Sequence, residues 1–422
     1  MSSKSITTNN NRYNLVSICL HSLSWIDWTS DLALSSYLKN LCSKGVYFPN
    51  ALAQSTNVIN SFPVEYSGCC YHKAVNDYSV QQGLLPQINI HDEDQFMQLP
   101  DLIFDRLDDA GYEWKTCMEG HFTSLMPQVL ETNSVFRFNK ILDKNIQLDD
   151  SIAFIETWGE DKLPKAMMYQ IFDTHRPWGL KNHPYFRVKA MEAFDLDEVP
   201  SDDAMGARWA AINEPDNLAF IRRLGLGYAT LQVEKIMKAL EKSGVLEHTI
   251  VLIYSNHGEV FDHFRPSKKL KLSCVSHGDV MMFDALEHTF QIWLIPGQKP
   301  VLLPHRVRVI DIAPTIIDML HLPEITTRDG RSVKSIISNP SSESINQRES
   351  FCLSPKAYSF RSDSMKIYHC NNDESYYKNA LFDTAWDRAE RINLIDSPSY
   401  CSQVEHLSNR LTDILDLKEQ FT

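Results

Sequence analysis

The sequence predicts an α/β protein: a three-layer α/β/α sandwich with a mainly parallel sheet, followed by a small C-terminal antiparallel β subdomain. Three observations predict it. Short continuous apolar runs such as residues 250–254 alternate with longer amphipathic stretches, and a helix-then-strand repeat buries a parallel sheet on both faces. The longest stretch, residues 217–242, repeats Leu224, Tyr228 and Leu231, then Ile236, Met237 and Leu240, at helical spacing. Beyond a Ser-rich segment at residues 338–350, short alternating segments take over.

In chain order, residues 1–12 are a polar tail. Residues 15–20 form an apolar, β-rich run bounded by polar residues, a strand buried on both faces. A helix is expected at residues 31–41 with Gly45 as its stop, and another at 102–107, ended near Gly111. Residues 181–216 show little periodicity and read as an irregular excursion. Gly244 closes the 217–242 helix; strands follow at 250–254 and at 290–295, the latter ended by Pro296-Gly297. The Ser-rich segment reads as a linker, and residues 356–360 and 365–368 as strands of the appendage. The expected division is an α/β domain at 13–340 and a C-terminal α+β subdomain at 341–422. In such folds ligands lie beyond the carboxyl ends of the strands, which directs attention to His21 and Asn256-His257.

The chain has 422 residues, 43% hydrophobic and 23% charged, ordinary values for a protein with a sizeable core. Its formal charge of -13 argues against nucleic acid as a partner. No apolar run approaches the roughly 20 residues of a membrane helix. The first residues lack the basic and apolar regions of a secretory signal. Nine scattered cysteines fit a reducing cytoplasm better than a disulfide framework. The adjacent Cys69 and Cys70 lack the spacing of a zinc pair and read as buried thiols. No exposed apolar stripe stands out, so the oligomeric state stays open.

Ser255-Asn256-His257-Gly258-Glu259 follows directly on the 250–254 strand. Taken alone it is a turn with a solvated histidine, or a cluster of metal ligands at a strand's end. Its surroundings decide between them. Leu240 and Gly244, then Thr249-Ile250-Val251, lead into it; Asp311-Ile312-Ala313-Pro314-Thr315 with Asp318, Asp329-Gly330-Arg331-Ser332, and Leu381-Phe382-Asp383 with Glu390 and Asn393-Leu394 come after. In this order the motifs resemble those of the sulfatase/alkaline-phosphatase superfamily, across nearly the whole chain. The resemblance implies that superfamily's fold. It also implies a carboxylate-rich site holding one or two divalent cations beside a Cys-, Ser- or Thr-derived nucleophile.

The chain departs from that pattern at the site itself. The first strand ends in His21 instead of Asp or Glu, and the motif S-D-H-G has become Ser255-Asn256-His257-Gly258, so two anionic groups are lost. Asn50-Ala51-Leu52-Ala53 and Ser67-Gly68 resemble the two ends of the nucleophile segment. An ungapped reading between them puts Val58 in the nucleophile slot and Phe62 where sulfatases carry Arg. The C-x-P-S-R sequence needed for formylglycine is absent. A shifted reading, with Glu65-Tyr66 as the E-F of the phosphoglycerol-transferase branch, offers Ser61; Thr56 and Ser55 are further hydroxyls.

Around these, Gly111-Tyr112 with Glu119-Gly120-His121 resembles G-Y…G-K-W-H, with Glu119 in place of Lys. Asp173-Thr174-His175-Arg176-Pro177-Trp178 resembles the loop whose histidine faces substrate, and His277-Gly278 resembles the H-G of phosphoethanolamine transferases. Five histidines, at 21, 121, 175, 257 and 277, are then expected to converge. A nitrogen-rich pocket suits a divalent transition metal, Zn, Mn or Fe, better than Ca²⁺. The expected ligands are His21, Asn256, His257 and His277; Ser61, His175 and His121 are the candidate catalytic groups. Glu119, Lys268 and Lys269 are candidate substrate contacts, the two lysines lying in a basic stretch that also reads as a solvated loop.

Three readings follow. One is a metal-dependent hydrolase or transferase of a phosphate, phosphonate or related ester, acting on a small anionic molecule. Another is an inactive binding protein that keeps the fold. The third is a His-rich metal site with redox chemistry. The histidine set favours the enzyme; the lost nucleophile and lost charges favour the binding protein.

Overall fold

The computed structural model describes residues 12–25, 36–56, 58–70, 102–118, 141, 143–160, 162–175, 215–259, 282–325, 328–353, 357–370 and 377–415. Its first strand, β1 (Asn14–Leu20), is buried from Leu15 onward. Alternate side chains of a strand leave on opposite faces. Here Leu15 and Cys19 enter one apolar core, while Val16, Ile18 and Leu20 enter a second. With both faces covered, no polar alternation is required, which is why the strand reads as a continuous apolar run.

After β1 come α1 (Ser36–Lys44), β2 (Val46–Leu52), α2 (Val58–Ser67), α3 (Ile103–Asp109) and β3 (Glu113–Met118). Then follow α4 (Leu148–Glu156), β4 (Lys165–Ile171), α5 (Pro215–Lys242) and β5 (Thr249–Tyr254). The one-turn α6 (Asp284–Glu287) leads into β6 (His288–Leu294), the short β7 (Val301–Leu302) and β8 (Val307–Arg308), α7 (Ile312–Leu320) and α8 (Lys334–Ser338). The sheet order is β3-β4-β1-β5-β6-β2-β7, with β8 also on β2.

The β3, β4, β1 and β5 strands run parallel, as the helix-then-strand repeat predicts. The β6 strand is antiparallel to both β5 and β2. It is preceded, among the described residues, only by one turn of helix, so the repeat that signals parallel pairing stops there. Leu226, Val233, Ile236 and Leu240 of α5, with Leu38 of α1 and Ile155 of α4, cover one face of the sheet. Ile103 and Leu107 of α3, Ile312 and Ile316 of α7, and Phe62 and Tyr66 of α2 cover the other. Gly244 closes α5 with a φ of 71°, the left-handed conformation that glycine adopts without steric cost.

The C-terminal sheet is a meander, β9 (Ser350–Leu353), β10 (Ala357–Ser362), β11 (Met365–Cys370) and β12 (Asn379–Asp383), antiparallel in the order β12-β11-β10-β9. The final helix, α9 (Cys401–Leu415), adds Leu407 to its core. That core also takes Val64 of α2 and Ile310, and Leu353 N–H donates to the Gln54 carbonyl at 3.0 Å. The appendage is thus stitched to the larger sheet.

The Ser-rich segment differs from the linker its composition suggests. Arg348 is 1% exposed and donates to Asp311 Oδ2 at 2.8 Å, to Glu343 Oε1 at 2.7 Å and to the Arg331 and Ser332 carbonyls. The α1 helix begins at Ser36, and residues 26–35 lie outside the described residues, as does most of 181–216. Cys69 is buried and Cys70 half-buried.

Candidate functional site

The carboxyl ends of β1, β4 and β5 lie side by side, with Cys19 paired to both Gln170 and Tyr254. The next residues along each strand are therefore brought together: His21 after β1, Phe172 to His175 after β4, and Ser255 to Glu259 after β5. His21 is 1% and Asn256 0% exposed. Asn256 Nδ2 donates to His21 Nδ1 at 3.0 Å, and His21 Nε2–H donates to Gln170 Oε1. This pattern places the ring proton on Nε2. Phe172 stacks on the imidazole at 3.9 Å and 14°.

The network continues inward. Gln170 Nε2 donates to Tyr66 Oη at 2.5 Å, and Tyr254 Oη–H donates to Glu65 Oε2 at 2.7 Å. Asn256 Oδ1 accepts from His257 N–H at 3.0 Å. Glu65, Tyr66, Gln170 and Tyr254 are all at most 2% exposed. Burial pushes the Glu65 carboxyl up to about 7, against hydrogen bonds from Tyr254, Gln170 and Asn256 that favour its charged form. Burial and the same carboxylate raise the Cys19 thiol and the Tyr66 and Tyr254 hydroxyls, so all three stay protonated.

The loop after β5 is pinned just as closely. Ser255 Oγ–H donates to the His257 carbonyl at 2.7 Å and accepts from Leu23 N–H at 3.1 Å. His257, fully buried, donates from Nδ1 to the Gly258 carbonyl at 2.9 Å. A Cβ at Gly258 would stand 2.0 Å from the Ala285 carbonyl oxygen, so only glycine lets α6 pack here.

Of the sequence candidates, His21, His175, Asn256 and His257 are brought to this one end of the sheet. His175 is half-buried and sits edge-on to Phe172 at 6.1 Å; the neighbouring Asp173 accepts from Gln232 of α5 at 2.5 Å. Ser61 lies in the second turn of α2 and is 2% exposed. Glu119, His121, Lys268, Lys269 and His277 lie outside the described residues. Phe62, in the ungapped slot of the sulfatase arginine, is 5% exposed. It heads an aromatic ladder: Phe62 to Tyr66 at 4.7 Å, Tyr66 to Phe104 at 4.9 Å, Phe104 to Trp114 at 4.9 Å.

Gln170, Tyr254 and Arg222 were not singled out from the sequence. Gln170 had a signal, as the one amide in the otherwise apolar end of Met167-Met168-Tyr169-Gln170-Ile171. Arg222 of α5 is 6% exposed and donates to the Ser22 carbonyl at 3.2 Å, holding the turn after His21.

Behind the loop lies a buried cluster of charges. Arg361 bonds Asp284 at 2.7 Å, and Lys366 bonds Glu287 at 3.0 Å and Glu390 at 2.8 Å. His288 Nδ1 faces Asp284 Oδ2 at 3.2 Å and its Nε2 faces the Pro49 carbonyl at 2.9 Å. Burial opposes the Asp284 carboxylate, yet Arg361 and His288 hold it well below the usual range. Burial raises Glu390 to about 7, with Asp284 and Glu287 adding to the rise and Lys366 opposing it.

No protein-family model matches the chain. It is similar to an arylsulfatase of Clostridium perfringens, 25% identical over 193 residues, which are 45% of this chain and 38% of the relative. It is also similar to arylsulfatase K of Danio rerio, 26% identical over 191 residues, 42% of this chain and 34% of the relative. The matched segment thus spans little more than a third of either relative. Among solved structures, a 2-O glycosaminoglycan sulfatase superposes with a TM-score of 0.68, at 15% identity, covering 97% of this chain and 93% of that one. A second, in complex with D-glucosamine-2-N,6-O-disulfate, gives 0.63 at 16% identity, covering 97% and 99%. The phosphonate monoester hydrolase of Agrobacterium radiobacter gives 0.65 at 14% identity, covering 96% of both chains. The fold expected from the motifs is the fold observed. No helix among the described residues is long and apolar enough to cross a membrane.

The resemblance to the sulfatase/alkaline-phosphatase superfamily implies a divalent cation at the strand ends. His21 and Asn256 do not fit one: both imidazole nitrogens are engaged by protein, and Asn256 turns its Nδ2, a donor, toward His21. Among the described residues, no three His, Cys, Asp or Glu side chains are grouped to hold a metal.

Proposed function

We propose that this chain, which has the fold of the sulfatase/alkaline-phosphatase superfamily, binds a small anionic ester at the carboxyl ends of β1, β4 and β5 without cleaving it through a covalent nucleophile. One observation carries the reading. The α2 helix opens on Val58, which has no lone pair to attack with, and packs Phe62 into the aromatic core where the sulfatase pattern has a cation. Ser61, the alternative nucleophile, is buried within the same helix. Ester recognition then falls to His175, together with Glu119, His121, Lys268 and Lys269 as the sequence assigns them. The anionic ligand class draws support from the disulfated glucosamine bound by a protein of the same fold. The scattered cysteines support a reducing compartment, the cytoplasm, as the location.

The test sets binding against turnover. Calorimetry with sulfated and phosphorylated monosaccharides is expected to show saturable binding, weakened in His175→Ala, while nitrophenyl sulfate and phosphate are not hydrolysed. Turnover by wild-type protein that is abolished in Ser61→Ala would overturn the reading.

A second reading, a hydrolase or transferase of a phosphate or phosphonate ester using Zn, Mn or Fe, is favoured by His257 and Glu259, both fully buried in the strand-end motif. It expects turnover that is lost on chelation and in His257→Ala.

A further inference from the structure

We infer that the hydrogen-bonded chain Asn256–His21–Gln170–Tyr66 stands in place of a cation at the strand ends, so that no divalent metal ion binds at His21 and Asn256. The two departures from the superfamily pattern are complementary. Two carboxylates facing each other repel and need a cation between them. An imidazole and an amide do not, because one supplies a lone pair and the other an N–H, and here they bond directly at 3.0 Å. His21 without Asn256, or Asn256 without His21, would leave a buried polar atom seeking a partner.

The rest of the chain closes in the same way. His21 Nε2–H is taken by Gln170 Oε1, and Gln170 Nε2–H by Tyr66 Oη. Asn256 Oδ1 accepts from His257 N–H. A cation on His21 would have to break one of its two hydrogen bonds, leaving Gln170 or Asn256 buried and unsatisfied. It would also meet one face of the ring already covered by Phe172 at 3.9 Å. Charge points the same way, since neither His21 nor Asn256 brings a negative charge and a dication in a buried site needs anionic oxygen. The chain spans β1, β4, β5 and α2, so it ties together four elements that a bound ion would otherwise bridge.

The inference stands apart from which ester is bound. Zn²⁺ and Ca²⁺, one borderline and one hard ion, are titrated separately into wild-type protein labelled with ¹⁵N-histidine. The His21 imidazole is identified by its contacts to the Phe172 ring. One protonated and one acceptor nitrogen are expected, unmoved by either ion and by chelator. An ion that binds in stoichiometric amount yet leaves these resonances in place sits elsewhere, as expected under the inference. Loss of the Nε2 proton, or a shift of either His21 nitrogen with one equivalent of ion, overturns it. Neither result depends on ester binding, so failure of the proposed function is read separately.

Discussion

Phe62 shows at the scale of one residue how a departure from the sulfatase pattern is written into packing. Where the ungapped reading of the sulfatase pattern has an arginine, this ring heads the ladder through Tyr66 and Phe104 to Trp114. Phe62→Ala is expected to destabilise the protein by about 3–5 kcal/mol in chemical denaturation, as for other buried phenylalanines. A loss below about 1 kcal/mol would place the ring outside the core. The sequence made Phe62 visible as a departure but not as a core residue, because the ladder it heads is completed by Phe104 of α3 and Trp114 of β3, which lie far along the chain. The same holds for His21. An imidazole at the end of a strand reads as a metal ligand, and only Gln170, 149 positions away, shows that its second nitrogen is taken. Glu119, His121 and His277 rest on the resemblance alone, and Lys268 and Lys269 on the basic stretch they belong to.

At the scale of elements, the joint between α6 and the C-terminal sheet brings three carboxylates, Asp284, Glu287 and Glu390, against Arg361 and Lys366. Burial and the crowding of three acids favour a retained proton in this cluster. It falls on Glu390, since Asp284 is held charged by Arg361 and His288. Glu390, ordinarily near 4.5, is raised to about 7 in the folded protein. A raised carboxyl contributes stability that is complete below its unfolded pKa and is lost as pH rises through its folded one. The unfolding free energy is therefore expected to fall between about pH 5 and about pH 8, and Glu390→Gln, which stays neutral throughout, to flatten that fall. Denaturation curves at the two pH values check this; an equally steep fall in the variant would contradict it. The cluster was not legible in the sequence. Asp284, Arg361 and Lys366 read as ordinary charged residues, and Glu390 as one member of a tail motif, until the meander meets α6.

At the scale of the molecule, the layering was legible because it rests on local signals: apolar runs buried on two faces, the α5 periodicity, and the short strands after residue 350. The antiparallel β6 was not legible, because strand direction follows from the path between strands and leaves no mark on residues that are buried either way. Equally hidden was the way Arg348 fastens the Ser-rich segment to Asp311. The site follows the same rule. Its polypeptide positions were visible in strand-end motifs, whereas its hydrogen-bond assignments join residues from four elements. The central claim, that these residues hold one another in place of an ion, is tested most directly by a double-mutant cycle on His21→Ala and Asn256→Ala, measured by chemical denaturation with and without chelator. A coupling of about 1–2 kcal/mol that chelator leaves unchanged is the predicted result. Additive losses, or a coupling that appears only when a divalent cation is present, would contradict it.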